Sequence, residues 1–514
     1  MLHRLRQLGL TARVFEAGED IGGTWYWNSY PGARCDVESL DYSYSFSDAL
    51  QQEWTWSERF ATQPEILRYI HFVADRLNLR PQVSLRTRVT AAAYDEVARR
   101  WRVETDRGEA VMARFCIMAT GCLTAAAVVP EIPGLGDFKG RWLHTGNWPK
   151  QPVDLAGRRV GVIGTGSSGI QVIPAIAPEV AQLCVFQRTP SFSVPARNAP
   201  LDPARMAELK AGYAQRRAAN LQSAAGYVYD PNFQSALEVD DAQRQAEYEA
   251  RWRKGGAGFL VAYKDLLLNQ AANDTAAGFV RAKIRAIVQD PVTAEALVPR
   301  GFPMGARRLC LDSDYYASFN RANVKLVDLL KSPIDRIVPE GIRTADATYA
   351  LDVIVFATGF DAMTGPLLRI DIRGRGGLPL RRKWARGPLT YLGLQVAGFP
   401  NLFIVAGPGS PSVLSNMVVS IEQHVDWIAQ CLHYLQRNAL ASIEAAADSE
   451  AAWVRHVNEV AGRTLYPLAS SWYTGANVAG KPRVFTPYLG GVHKYRERCE
   501  QVAAQGYKGF VLQR

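Results

Sequence analysis

Residues 158–169 read RRVGVIGTGSSG, and this stretch decides the fold. Arg158 to Gly164 has the continuous apolar run of a buried parallel strand. It passes directly into Gly164, Thr165, Gly166, Ser167, Ser168 and Gly169, and then into an apolar-periodic helix from about Ile170. A strand, a G-x-G-x-x-G turn and a helix in that order make a seat for a dinucleotide pyrophosphate. The first glycine permits the tight turn, the second lets backbone N–H groups reach the phosphate, and the third lets helix and strand pack closely. The free N–H groups and the helix dipole attract the anion. The next strand, Gln182 to Phe186, ends in Gln187, Arg188 and Thr189. An NAD site places an acid at this point. Arg188 suits a ribose 2′-phosphate instead, which points to NADPH.

A second nucleotide unit lies upstream. Residues 2–9 read as a helix closed by Gly9, followed by a short strand from Ala12 to Phe15 and then Glu16. An acid at the end of a second strand accepts hydrogen bonds from a ribose. A whole βαβ unit takes ~30 residues, so its first strand and glycine loop are expected ahead of Met1, leaving this Rossmann unit truncated at its N-terminus. The strand Ala113–Met118 ends at Ala119-Thr120-Gly121, and a later one, Asp352–Phe356, ends alike at Ala357-Thr358-Gly359. The paired turns read as crossovers between two nucleotide domains. The fold class is therefore α/β with two Rossmann-like domains. The expected division is 1–125 and 361–514 for FAD and 126–360 for NADPH, with a helical insertion at about 196–298 whose charges form a solvated face. Phe60–Ala74 is expected as a helix, Val83–Thr90 and Trp101–Thr105 as strands of a meander, Asn401–Ala406 as a strand and Ile421–Gln436 as a helix.

Composition fits a large globular enzyme. The 514 residues are too many for one core, 48% are apolar and 21% charged. The net charge of +10 is spread without a basic run, which argues against nucleic acid and suits anionic cofactors. No apolar run nears the ~18 residues of a membrane span, and the N-terminus has no signal-peptide pattern. The seven cysteines show no metal-like spacing, so reduced thiols, no metal and a cytoplasmic setting are expected.

Residues 138–149 read FKGRWLHTGNWP. This pattern, F-x-G-x-x-x-H-T-x-x-W-P, resembles the fingerprint of the type I Baeyer–Villiger monooxygenases, and the resemblance extends over essentially the whole chain, closest to aryl-ketone members that oxidise phenylacetone. It implies FAD and NADPH as cofactors, a ketone and O2 as substrates, and a monomer or weak homo-oligomer. His144 is given a hinge role between the domains and no chemistry. Residues 22–28 (GGTWYWN) and 30–36 (YPGARCD) resemble the segments over the flavin. By this resemblance Glu16, Gly23, Thr24, Trp25, Tyr26, Trp27, Asp36, Tyr42, Val89 and Met417 serve FAD. Arg34, Cys35, Gln171, Thr189, Arg307, Arg308 and Trp472 join the glycine loop and Arg188 at NADP. Ser412, Val413 and Leu414 shape the ketone pocket. Arg308 is the catalytic cation, paired with Asp36, and stabilises an anionic flavin C4a-peroxide that attacks the carbonyl. Two other readings stay open. One is a flavin N- or S-oxygenase, and the other is an NADPH-binding remnant that holds FAD poorly.

Overall fold

The computed structural model describes residues 1–123, 127 and 129–514. The expected boundary at 125–126 lies outside the described residues. At the centre is a five-stranded parallel sheet in the order Val324–Asp328, Gln182–Gln187, Arg159–Ile163, Val353–Phe356, Arg141–His144. Its central strands are buried on both faces, with Val160, Val162, Leu183, Val185 and Phe186 at 0% exposure. That explains the unbroken apolar runs in the sequence. Each such side chain contributes roughly 1.5–3 kcal/mol by leaving water. The helix after the glycine turn runs Ser167–Ile176, starting three residues earlier than the apolar period suggested, because its first turn faces a cavity and carries no core residue. Pro174 sits in its last turn.

The residues on either side of this sheet in the chain build a second body. Val89–Asp95, Arg100–Thr105 and Ala110–Ala113 form an antiparallel meander, with Asp371–Arg373 parallel to its first strand. Val14–Phe15 pairs in parallel with Val83–Ser84, and Leu402–Ile404 pairs in parallel with Cys116–Met118. Both pairs border one cavity. The expected single strand Val83–Thr90 is in fact two. Arg86 takes a positive φ of 51°, which turns the chain away from the pair with Val14 and into the meander. The expected helix 60–74 begins at Gln63, since Cys35 N–H binds the Ala61 carbonyl and holds that residue extended.

Five helices occupy the expected insertion: Pro203–Ala211, Tyr213–Gln222, Asp241–Lys254, Gln270–Ile287 and Pro291–Leu297. The last three join the hydrophobic core that also takes in the five-stranded sheet, through Tyr248, Phe279 and Leu297. The first two do not. Met206 and Tyr213 pack among Trp56, Tyr69 and Leu50, and Arg216 holds buried Asp41 with two 2.6 Å hydrogen bonds. Part of the charge expected on a solvated face therefore bridges the two bodies. Among the described residues no helix is long and apolar enough to cross a membrane, and no cluster of His, Cys, Asp and Glu could hold a metal ion.

Candidate active site between two dinucleotide seats

One continuous cavity of 2120 Å3 runs between the bodies. Single-ligand pockets span ~300–1,000 Å3, so this one has room for two dinucleotides and a substrate. At one end lies the glycine turn. A Cβ on Gly164 would come within 2.5 Å of the Ala357 carbonyl oxygen, and one on Gly169 within 2.2 Å of the Gly164 oxygen. Gly166 has nothing within 4 Å and opens on the cavity. Tight turn, close packing and open cradle thus fall on the three glycines as the sequence required, with Gly169 behind the seat and not in it. Thr165 Oγ1 donates to the Thr189 carbonyl at 3.2 Å, tying the turn to the next strand's end. Gln171 accepts from Tyr30 Oη at 2.8 Å and donates to the Arg34 carbonyl at 3.1 Å, so the helix positions the 30–36 segment. Arg188 is exposed at its strand end. Arg307 lies 4.2 Å over the Phe302 ring with its Nε buried and unpaired, and its pKa is lowered by burial and then by the charge of Arg188. Two cations drawn together beside an open phosphate cradle fit a phosphorylated ribose.

At the other end Gly23, Thr24, Trp25 and Trp27 line the cavity, together with Tyr42 and Val89. Gly23 takes φ 53° and has open space around it, so a ligand can approach its backbone. Trp25 Nε1 donates to Tyr42 Oη at 3.1 Å and meets that ring edge-on. Glu16 borders the cavity, and burial raises its pKa against the hydrogen bond from Gly18 N–H. Tyr26 departs from its expected role. Its ring turns away from the cavity beneath Lys150, whose Nζ lies 4.2 Å from the ring centroid, and its hydroxyl accepts from Glu19 N–H. Trp25 and Trp27 both border the cavity, while Tyr26, about 100° round the helix from each, packs away from it.

Asp36 and Arg308 meet in the middle, from segments 272 positions apart. Arg308 Nη2 and Nε donate to Asp36 Oδ2 at 2.9 and 3.1 Å. Burial lowers the guanidinium pKa, but the surrounding groups, led by the Asp36 carboxylate, together outweigh it, so the cation is held. Cys35, next to this pair, is no nucleophile, because burial pushes its thiol up to about 12. Tyr473, beside Trp472 in the turn Trp472–Thr474, is buried against Tyr466 and Phe485.

The 406–417 loop corrects the expected ketone pocket. Ser412 is 0% exposed with φ 42°, and its hydroxyl is held by Cys122 Sγ and the Ala406 carbonyl. Leu414 packs with Tyr466, Tyr473 and Phe485. Of the three residues only Val413 borders the cavity, as does Met417 at the start of the helix Met417–Arg437. The Val413 carbonyl lies 3.5 Å from Arg308 Nη1. Trp472 borders the cavity from the same side. His144 takes no part in this centre. Its Nδ1 accepts from Gly146 N–H at 2.9 Å and its Nε2 meets Thr358 Oγ1 at 3.3 Å, linking the fingerprint to the Ala357-Thr358-Gly359 turn.

Two nucleotide seats opening on one arginine define a flavin- and NADPH-using oxidoreductase. Residues 5–198 match the flavin-binding monooxygenase-like family. A Baeyer–Villiger monooxygenase of Pseudooceanicola batsensis is 41% identical over 100% of this chain and 94% of its own. A phenazine N-monooxygenase of Lysobacter antibioticus is 40% identical over 100% and 94%. The solved structure of an oxidised steroid monooxygenase bound to NADP superposes with a TM-score of 0.95 at 53% identity, covering 100% of this chain and 96% of that one. The chain belongs to this family as a Baeyer–Villiger monooxygenase, an FAD- and NADPH-dependent enzyme that converts ketones to esters or lactones.

Proposed function

We propose that the enzyme acts on cyclic and aryl ketones, with Arg308 as the catalytic cation and Asp36 as its anchor. The observation that carries this is the Asp36–Arg308 pair set where both nucleotide seats meet. Bound FAD and NADPH supply reducing electrons and oxygen activation, and the chain supplies positions and charge. Glu16 accepts from the flavin-side ribose, Gly166 and the helix N-terminus bind the NADPH pyrophosphate, and Arg188 with Arg307 binds the 2′-phosphate. Trp25, Trp27, Tyr42, Val89 and Met417 wall the flavin ring. Arg34, Cys35 and Trp472 lie along NADPH. Arg308 stabilises negative oxygen at the reacting centre, where low dielectric strengthens its field. Val413 bounds the ketone, while Ser412 and Leu414 fix the loop that presents it. The chain divides at about 125 and 360 into flavin, NADPH and flavin parts. The steroid-oxidising relative supports a cyclic substrate.

The test is NADPH oxidation by the FAD-loaded enzyme with and without a cyclic ketone, with ester or lactone measured directly. Ketone-stimulated consumption with lactone formed, lost in Arg308→Ala, is the expected result. A thioether or an aromatic N-heterocycle oxidised faster than any ketone would overturn the substrate class, and unchanged lactone formation in Arg308→Ala would overturn the role of Arg308.

A further inference from the structure

Two side chains carry the loop behind Trp472 onto the segment that follows the Ala357-Thr358-Gly359 turn. Trp472–Thr474 is a single helical turn that Gly475 ends at φ 72°. The loop beyond it folds on itself: Ala476 N–H donates to the Ser471 carbonyl at 2.9 Å, and Thr486 N–H and Oγ1 both donate to the Tyr473 carbonyl at 3.0 Å. Asn477 Nδ2 then reaches out to the Phe360 carbonyl at 2.6 Å. Lys481 forms an ion pair with Asp361 and donates to the Ala362 carbonyl at 2.8 Å. Space for this pair comes from two glycines. A Cβ on Gly475 would stand 3.1 Å from Lys481 Cγ, and one on Gly365 would stand 2.7 Å from Asp361 Cγ. The lysine side chain is 13% exposed and the aspartate 28%, so water screens the pair only in part. Gly359, Phe360 and Ala362 border the cofactor cavity, and so do Trp472, Ala476 and Asn477. Phe360, Ala362 and Trp472 share one apolar cluster with Val413 and Met417. The charges therefore meet directly behind a cavity wall made from both segments.

We propose that Lys481 and Asp361 are a positioning pair for Trp472: their ion pair seats the turn against the wall formed by Phe360 and Ala362, and so sets how tightly the nicotinamide nucleotide is held. This rests on the place given to Trp472 along NADPH above. A nucleotide that touches Trp472 and an ion pair that seats it favour the same arrangement, so each strengthens the other. Without the pair the seated arrangement is less populated, and the apparent dissociation constant rises by the same factor. One charge-assisted contact is worth roughly tenfold in such an equilibrium.

The test compares the FAD-loaded enzyme with Lys481→Met, Asp361→Asn, the two combined, and Trp472→Ala. NADP+ affinity and release are followed through the flavin spectrum. The seating of the loop is followed through trypsin cleavage after Arg483, which is exposed and present in every variant. Each single variant of the pair should bind NADP+ about tenfold more weakly, through faster release, and be cut after Arg483 about tenfold faster. The melting temperature without nucleotide should stay that of wild type. Because the two residues act through one contact, the combined variant should bind no more weakly than either single one. NADP+ affinity within about twofold of wild type in Lys481→Met overturns the proposal. So do losses that multiply in the combined variant, which mark two independent contacts. A melting temperature that falls in step with affinity also overturns it, since that marks a general structural role. If Trp472→Ala leaves NADP+ affinity unchanged while Lys481→Met is still cut faster, the place given to Trp472 along NADPH has failed, and the proposal falls with it.

Discussion

His424 lies inside the helix Met417–Arg437 at 0% exposure. Its Nδ1 accepts from Ala406 N–H at 2.8 Å, and its Nε2–H donates to Tyr495 Oη at 2.9 Å, which in turn donates to the Leu392 carbonyl at 2.5 Å. Both ring nitrogens are committed to the neutral tautomer, and burial pushes the pKa down from 6.5 to about 3. The unfolded ring takes up a proton as pH falls below 6.5, and the folded ring does not. Its contribution to stability is therefore complete above pH 6.5 and is lost progressively down to about 3. Each pH unit in that window costs about 1.4 kcal/mol, so at pH 4.5 the loss is roughly 2.7 kcal/mol. In His424→Asn the amide oxygen can still accept from Ala406 N–H, but nothing titrates. The missing donor to Tyr495 lowers stability at all pH values by about 1 kcal/mol. Urea unfolding followed by tryptophan fluorescence from pH 4.5 to 8 should show the wild-type advantage at neutral pH shrinking and then reversing toward pH 4.5. A gap between the two proteins that stays constant across that range would refute a neutral buried ring. The effect should also reach the site, because the Ala406 N–H fixes a residue at φ 57° that opens the loop to Val413.

Other expectations follow from the nucleotide seats. Arg188→Ala should raise the KM for NADPH by roughly ten- to a hundredfold, the loss of one charge-assisted contact of ~1.5–3 kcal/mol, and leave that for NADH unchanged; equal effects on both coenzymes would place Arg188 outside the 2′-phosphate site. The glycines should separate by position. Gly166→Ala adds a methyl in open space at φ −84°, so its melting temperature should match wild type while its NADPH Kd rises. Gly169→Ala brings Cβ to 2.2 Å from the Gly164 oxygen, so its melting temperature should fall as well. Scanning calorimetry and fluorescence titration with NADPH distinguish the two.

The NADPH-side glycine turn was legible because each glycine answers a local steric demand, and such demands are written in consecutive residues. The same holds for Arg188, whose position at a strand end follows from the strand itself. The Asp36–Arg308 pair was placed only through family resemblance. The two residues are 272 positions apart, and nothing between them encodes that contact, which arises where the two bodies meet. Tyr26, Ser412 and Leu414 show the reverse failure. A motif identifies the segment near a cofactor, but which side chains face it depends on the helical phase at Tyr26 and on the φ of 42° at Ser412. The bridging helices 203–222 were misassigned for a similar reason, since their periodicity reveals an apolar face but not the partner that covers it.

The number of donors on Arg308 explains why the site needs a guanidinium. A guanidinium carries five N–H donors in a rigid plane, while an ammonium has three on a flexible stem. Nε and one Nη2 donor are taken by Asp36, and an Nη1 donor points to the Val413 carbonyl. That leaves two for the cavity, which Arg308 borders. A lysine would exhaust its three donors on the same contacts, or abandon one of them to reach the cavity. The positive charge could survive such a replacement, since the Asp36 carboxylate would still favour it, but its direction would not. Stabilising an oxyanion in a dry site depends on donors fixed before charge develops. The buried acid and the loop carbonyl therefore act together: two elements distant in the chain hold the guanidinium between them, and its remaining donors are left to the cavity it borders.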